Sequence, residues 1–84
     1  MEDNIFLDKV VEFLVRDTKI DYGKDEIYFP FHPSTAFSFF FLSFALSSPY
    51  FPKYCKVTYG LTEDEIKYVW NQYRTIIKDK ISNK

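Results

Sequence analysis

Apolar residues recur at helical spacing near both ends of the chain. Between positions 5 and 15, eight apolar residues cover more than half of a helical circumference, which predicts a helix over about residues 4–16 that packs against several neighbours. Near the other end, apolar residues from Ile66 to Ile81 fall on one helical stripe. The stripe follows Thr62-Glu63-Asp64-Glu65, a sequence typical of a capping box. We therefore expect a second long helix over residues 63–81.

Between these helices the pattern first changes to alternation. Ile20 and Tyr22 precede the turn sequence Gly23-Lys24-Asp25, and Ile27 and Phe29 follow it at alternate positions. Apolar residues two apart on both sides of a glycine turn are typical of a β-hairpin, which we expect over about residues 18–30. Since two strands alone are marginally stable in water, this hairpin should pack against helices.

The segment after the hairpin is apolar or aromatic at most positions from residue 36 to residue 46. Its periodicity fits either a helix or a strand, but its length and its Ala and Leu residues favour a helix over about residues 35–47. Prolines at positions 49 and 52 end this helix. A short helix over about residues 52–59 follows, and Gly60 suits its left-handed C-terminal cap.

On a helix, this aromatic segment has two opposite apolar faces. One face consists of Phe39, Leu42 and Leu46, and the other of Phe37, Phe40, Phe41 and Phe44. To bury both faces of such a helix, the first helix, the hairpin and the last helix must all pack against it. Where cover is incomplete, a contiguous exposed apolar area marks an interaction site. The alternative is that the whole segment is internal core.

These elements predict a mainly α (α+β) fold, a compact domain of three to four helices with one short β-hairpin. The chain of 84 residues has no room for a second core, so we expect residues 1–84 to form a single domain.

The charges are segregated along the chain. Residues 1–26 hold eight acids and four Lys or Arg, and residues 53–84 hold four acids and seven Lys or Arg. Residues 27–52 hold no Asp, Glu, Lys or Arg. The two ends can pair with each other or face different surfaces, and we expect internal pairing. The net charge of −1 argues against general attraction to nucleic acid or to an acidic membrane.

Residues with catalytic or metal-binding chemistry are few. His32 and Cys55 are the only histidine and cysteine, so they could form a dyad only with each other, and no third group is evident to orient them. The acidic residues of the run 63–65 point in different directions from a helix and already serve its N-terminus. We predict no catalytic residue, no metal site and no cofactor.

The sequence also bears on location. A single cysteine excludes an internal disulfide, the start of the chain is acidic where a secretory signal would be basic, and the apolar run 36–46 is about half the length that spans a bilayer. We expect a cytoplasmic protein without membrane association. The chain has only two alanines and two glycines, which suggests an AT-rich genome. Many phages and viruses have such genomes, and a protein of that origin would lie in the host cytoplasm.

Residues 53–78 resemble a helix-turn-helix, with a short helix, Gly60-Leu61-Thr62 and a longer helix. Two departures weaken the resemblance: Lys56 stands where a small residue is usual, and acids occupy positions 63–65, where DNA contacts need neutral or basic groups. A plain corner between two helices is the better interpretation. A basic row of Lys67, Asn71, Arg74 and Lys78, with Tyr68 nearby, could bind phosphates or an acidic protein, or could be an ordinary solvated flank.

The sequence thus favours a small non-enzymatic accessory or adaptor protein that binds a partner protein, or a second copy of itself, through the uncharged aromatic middle. The predicted contact residues are Phe37, Phe40, Phe41, Phe44, Tyr50 and Phe51. The alternative is a small nucleic-acid-binding or transcription-regulating factor that uses residues 53–78, with Lys67, Tyr68, Arg74 and Lys78 as contacts.

Overall fold

A computed structural model of the chain describes residues 2–32, 36–46 and 49–82, and the side chains of residues 2–4 and 44 lie outside this description. It shows a mainly helical α+β fold with three helices of at least ten residues, one shorter helix and a small antiparallel sheet. The elements in chain order are α1 (Glu2–Arg16), β1 (Lys19–Asp21), β2 (Glu26–Tyr28), β3 (Ala36–Ser38), a 3-10 turn (Phe39–Phe41), α2 (Leu42–Leu46), α3 (Tyr50–Tyr59) and α4 (Glu63–Ser82).

Helices α1 and α4 pack side by side and supply much of the core. Their buried residues lie at helical spacing and are Leu7, Val10, Val11 and Leu14 on α1, and Ile66, Val69, Tyr73 and Ile77 on α4. Two hydrogen bonds flank this contact: Tyr68 donates to Asp8 at 2.8 Å, and the hydroxyls of Thr18 and Tyr73 lie 2.6 Å apart. The apolar stripes of the sequence are therefore the inner faces of these two helices.

The sheet has the strand order β1-β2-β3, with both neighbouring pairs antiparallel. Ile20, Ile27 and Phe37 stand opposite one another across the three strands and lie on the side of the core. Residues 18–30 thus contain the hairpin that alternation predicts, and a third strand extends it.

The third strand overturns the prediction of one aromatic helix over about residues 35–47. Residues 36–38 are a strand, residues 39–41 a 3-10 turn, and only residues 42–46 are α-helical. Ala36 and Ser38 are exposed while Phe37 is half-buried, so the strand has the period of two that a half-buried sheet requires. Pairing with β2 satisfies the backbone there and overrides the helical tendency of the segment. Residues 33–35 and 47–48, at the ends of the predicted helix, lie outside the described residues.

A three-residue turn, residues 60–62, joins α3 to α4. Gly60 has φ 67° and its N–H donates to Lys56 at 3.0 Å, which is the left-handed C-terminal cap expected of a glycine here. Thr62 and Glu65 then exchange backbone-to-side-chain hydrogen bonds of 2.8 and 3.3 Å, as in a capping box.

The two charged ends of the chain meet through the core and through hydrogen bonds of Thr18, Tyr22 and Tyr68. Two ion pairs, Arg16 with Asp17 and Lys56 with Glu63, each lie within one end of the chain. Most of the segregated charge therefore remains at the surface.

Candidate protein-binding surface

Two adjacent phenylalanines project from the surface at the end of the sheet. Phe40 is 87% exposed and Phe41 is 54% exposed, and their rings meet edge to face with centroids 5.3 Å apart. Both belong to the 3-10 turn that follows β3. We call these two residues the exposed aromatic pair.

The turn itself holds the exposed aromatic pair outward. A 3-10 helix repeats every three residues, so Phe39 and Leu42 share one side. Leu42 is buried, and Phe39 packs edge to face against Tyr22 with ring centroids 6.2 Å apart, which leaves the other side to positions 40 and 41. The Phe39 N–H donates to the Asp25 carbonyl at 2.8 Å and fixes the start of the turn on the hairpin.

The structure separates the six predicted contact residues. Phe51 is 1% exposed and belongs to the core, and Phe37 is half-buried against it. Tyr50 is 57% exposed but lies on α3, away from the 3-10 turn in sequence. The side chain of Phe44 lies outside the described residues. Among the five predicted contact residues whose side chains the structure describes, Phe40 and Phe41 form the one adjacent exposed pair.

Tyr50 lines a groove that the sequence analysis did not single out. Its volume is about 520 Å³, and its lining residues are Phe31, His32, Tyr50, Lys53, Tyr54, Val57 and Thr58. The spacing of Tyr50, Tyr54 and Val57 is four and then three, so one apolar stripe of α3 forms the wall. The spacing of these residues is visible in the sequence. The sequence does not show which apolar residues of α3 are buried in the core and which line the groove.

His32 lies in a cluster of aromatic rings beside this groove. Its ring centroid is 4.9 Å from those of Phe37 and Tyr50 and 5.2 Å from that of Phe31, and its Nε2 is buried without a hydrogen-bond partner. Burial lowers the pKa of His32, and a hydrogen bond to the backbone of Ala45 opposes this as the smaller effect. The apolar surroundings therefore favour a neutral ring near pH 7.

The lowered pKa of His32 predicts a pH dependence of stability. The unfolded chain binds the proton more readily than the folded one, so this contribution is present above the ordinary value of 6.5 and is lost as the pH falls. We expect the thermal midpoint to drop between about pH 7 and pH 5, and to drop less in His32→Phe. Calorimetry of both proteins across that range checks this. Equal pH slopes for the two would contradict it.

Cys55, the other residue of the dyad considered in the sequence, is a core residue. It is fully buried in the core, and burial raises its pKa to about 12. A thiol with such a pKa is a poor nucleophile near neutral pH. Among residues 2–32, 36–46 and 49–82, no three His, Cys, Asp or Glu side chains come together as metal ligands.

The residues of the basic row on α4 differ in solvent exposure. Lys67 and Lys78 are exposed, whereas Arg74 is half-buried and donates to Asn71 at 3.1 Å. Tyr68 is half-buried, and its hydrogen bond to Asp8 gives it a place in the α1–α4 contact.

Helices α3 and α4 contact each other through aromatic rings. The ring of Phe51 on α3 lies 5.0 Å from that of Trp70 and 5.7 Å from that of Tyr73, both on α4.

A scan against protein-family models and searches of curated proteins and of solved structures find no match to this chain. None of the described helices is both long and apolar enough to span a membrane.

Proposed function

We propose that this chain is a small non-enzymatic accessory protein that binds another protein chain through the exposed aromatic pair. The observation that supports the proposal is the 87% exposure of Phe40 beside the half-exposed Phe41. Taking about 200 Å² for a whole phenylalanine, the pair presents about 280 Å² of apolar surface. Burial of this area would contribute up to about 7 kcal/mol before the costs of association.

The surroundings of the pair favour a protein over a nucleic acid as the partner. Residues 27–52 carry no Asp, Glu, Lys or Arg, so the segment that holds the pair has no Lys or Arg to attract phosphates. The basic row lies on another element, and the first turn of its own helix carries three acids. Use of residues 53–78 as a nucleic-acid factor is the less supported alternative, because these acids would repel phosphates.

Photo-cross-linking in the cells that make the protein tests this function. The full chain would carry p-benzoylphenylalanine at position 40 and, as a matched control, at position 28, where Tyr28 is a half-exposed aromatic of the sheet. We expect a discrete cross-linked protein from position 40 that is absent from position 28. No product above the control, with normal amounts of folded protein, would overturn the proposal.

A further inference from the structure

Helix α3 carries an apolar stripe beside the one that faces the core. Phe51 and Cys55 are buried, whereas Tyr50, Tyr54 and Val57, at spacings of four and three, line the groove. Tyr50 and Val57 are largely exposed, and Tyr54 is half-buried. An exposed apolar surface with this regular spacing marks a place where a ligand or a partner binds.

Two rings outside α3 complete the groove. Phe31 is buried and stands edge to face on Phe51, with ring centroids 5.1 Å apart. His32 stands edge to face on Tyr50 at 4.9 Å, and the rings of Phe31 and Tyr54 are 6.4 Å apart. These contacts hold the rings in place, so the lining of the groove is largely formed before any ligand binds.

The size and lining of the groove fit a small aromatic molecule. Its volume of about 520 Å³ lies within the range of about 300–1,000 Å³ that is typical of small-molecule sites, which are lined mainly by apolar and aromatic side chains. Aromatic rings attract one another in offset or edge-to-face arrangements at centroid distances of about 4.5–7 Å. A flat ring in the groove has such partners on α3 and on residues 31–32. The lining therefore favours an aromatic ligand over an aliphatic one.

Lys53 gives the groove its charge. Among the described residues that line the groove it is the one Lys or Arg, and none of them is Asp or Glu. Within residues 2–32, 36–46 and 49–82, Lys53 has no ion-pair partner. Helix α3 contains no Asp or Glu, and residues 27–52 contain none either, so neither segment that lines the groove repels an anion.

The number of positive charges narrows the kind of anion. A lysine ammonium group is a compact single charge, and one such group balances one negative charge. A phosphate monoester carries nearly two negative charges near pH 7 and would leave part of its charge unpaired here. A carboxylate carries one. The groove therefore matches a carboxylate better than a phosphate.

We propose that the groove binds a small aromatic carboxylate, with its ring against Tyr50, Tyr54 and Val57 and its carboxylate at the ammonium group of Lys53. This site does not include the exposed aromatic pair, so the inference goes beyond the proposed function and does not depend on it. Binding is non-covalent and reversible. A protein partner at positions 40 and 41 and a small molecule on α3 would be separate ligands of one chain.

Two probes of the same shape separate the ring from the charge. They are 2-naphthoate, which is an anion, and 2-naphthamide, which is neutral. At the efficiency of drug-sized ligands, a molecule of about 13 non-hydrogen atoms binds with a dissociation constant of about 1 mM. Because a partly exposed ion pair contributes little, we expect 2-naphthoate to bind only about threefold to fivefold more tightly than 2-naphthamide.

The two lysines of α3 provide a variant and its matched control. Lys53→Gln removes the positive charge from the groove. Lys56→Gln removes one charge from the same helix at a position that does not line the groove, where Lys56 lies 3.9 Å from Glu63. Both lysines are exposed, so both variants should fold. We expect Lys53→Gln to bind the two probes equally within about 1.5-fold, and Lys56→Gln to keep the preference for 2-naphthoate.

NMR titration of the ¹³C-labelled full chain measures these constants and locates the probe. The ring of 2-naphthoate should shift the methyl resonances of Val57 and the ring resonances of Tyr54, with saturation at millimolar concentration. Shifts confined to Phe40 and Phe41, or no saturation up to about 10 mM, would overturn the inference. It is also overturned if wild type binds the two probes equally, or if Lys53→Gln keeps the preference that Lys56→Gln shows.

Decanoate tests the aromatic part of the inference. It carries the same carboxylate and about as many non-hydrogen atoms as 2-naphthoate, but it has a flexible chain in place of the rings. We expect it to bind at least threefold more weakly, because it gains no ring contacts and loses chain freedom on binding. Decanoate that binds as tightly as 2-naphthoate at the same residues would show that the groove takes aliphatic acids and would overturn the aromatic assignment.

Discussion

Replacement of Phe51 by alanine is expected to lower the free energy of unfolding by about 3–5 kcal/mol. The ring is 1% exposed and lies between Phe31, Trp70 and Tyr73, with centroids 5.1, 5.0 and 5.7 Å away. Its removal leaves a cavity among rigid rings that cannot close around it. A chain of 84 residues has a total stability of only about 4–13 kcal/mol, so the variant should be close to unfolding.

Tyr50→Ala is the matched control for Phe51→Ala. The two aromatic residues are neighbours on α3, but Tyr50 is 57% exposed, and we expect its removal to cost no more than about 1 kcal/mol. Urea unfolding followed by circular dichroism measures both. Equal losses for the two variants would show that Phe51 does not lie in the core. Because Phe51 is buried, a loss of partner binding in Phe51→Ala would reflect loss of the folded structure and not loss of a direct contact with the partner.

Replacement of both Phe40 and Phe41 by serine is expected to weaken partner binding at least a hundredfold. Two buried aromatic contacts at about 2 kcal/mol each would account for that loss. Stability should change by no more than about 0.5 kcal/mol, because exposed rings contribute little to the folded chain. Calorimetric titration with the partner identified by cross-linking measures the loss of binding; if the partner is a second copy, sedimentation measures it. Urea unfolding measures the change in stability.

The control for this double variant is another adjacent pair of exposed apolar residues. Ile5 and Phe6 on α1 are 66% and 53% exposed, so Ile5→Ser with Phe6→Ser removes a similar apolar area elsewhere. We expect binding by this control to stay within about threefold of wild type. If the α1 variant loses binding and the Phe40/Phe41 variant keeps it, the contact surface is on α1.

The long C-terminal helix could be predicted from the sequence because its periodicity and its capping residues indicate the same element. Its apolar stripe has one period, its capping box precedes it, and the side chains of the stripe are buried or partly buried in the core. The hairpin was equally accessible, since Ile20 and Ile27 alternate with polar neighbours and stand opposite each other. In both elements a clear polar face defines the period.

The aromatic segment lacked that contrast between faces. With apolar residues at most positions from 36 to 46, no polar face chooses between strand and helix. The choice depends on pairing with β2, a contact between residues about ten positions apart that no local pattern encodes. Its first three residues therefore became a strand against expectation.

For the contact residues too, the local sequence pattern does not show which apolar side chains are exposed. Tyr50 and Phe51 are adjacent and chemically alike, and only the rotation of α3 about its axis buries one and exposes the other. The spacing of four between Phe51 and Cys55, both buried, is a signal that could have fixed that rotation. Phe40 and Phe41 could be named from the sequence, but the geometry that exposes them, a 3-10 turn after a strand, could not.

The most direct test of this account is the solvent exposure of individual rings in the free chain. Fluorine NMR of the protein with 4-fluorophenylalanine at position 40, 41 or 51 reports that exposure through the change in chemical shift between H₂O and D₂O. The account predicts a large solvent isotope shift at positions 40 and 41 in dilute protein, and almost none at position 51. A shift at position 40 as small as that at position 51 would contradict it.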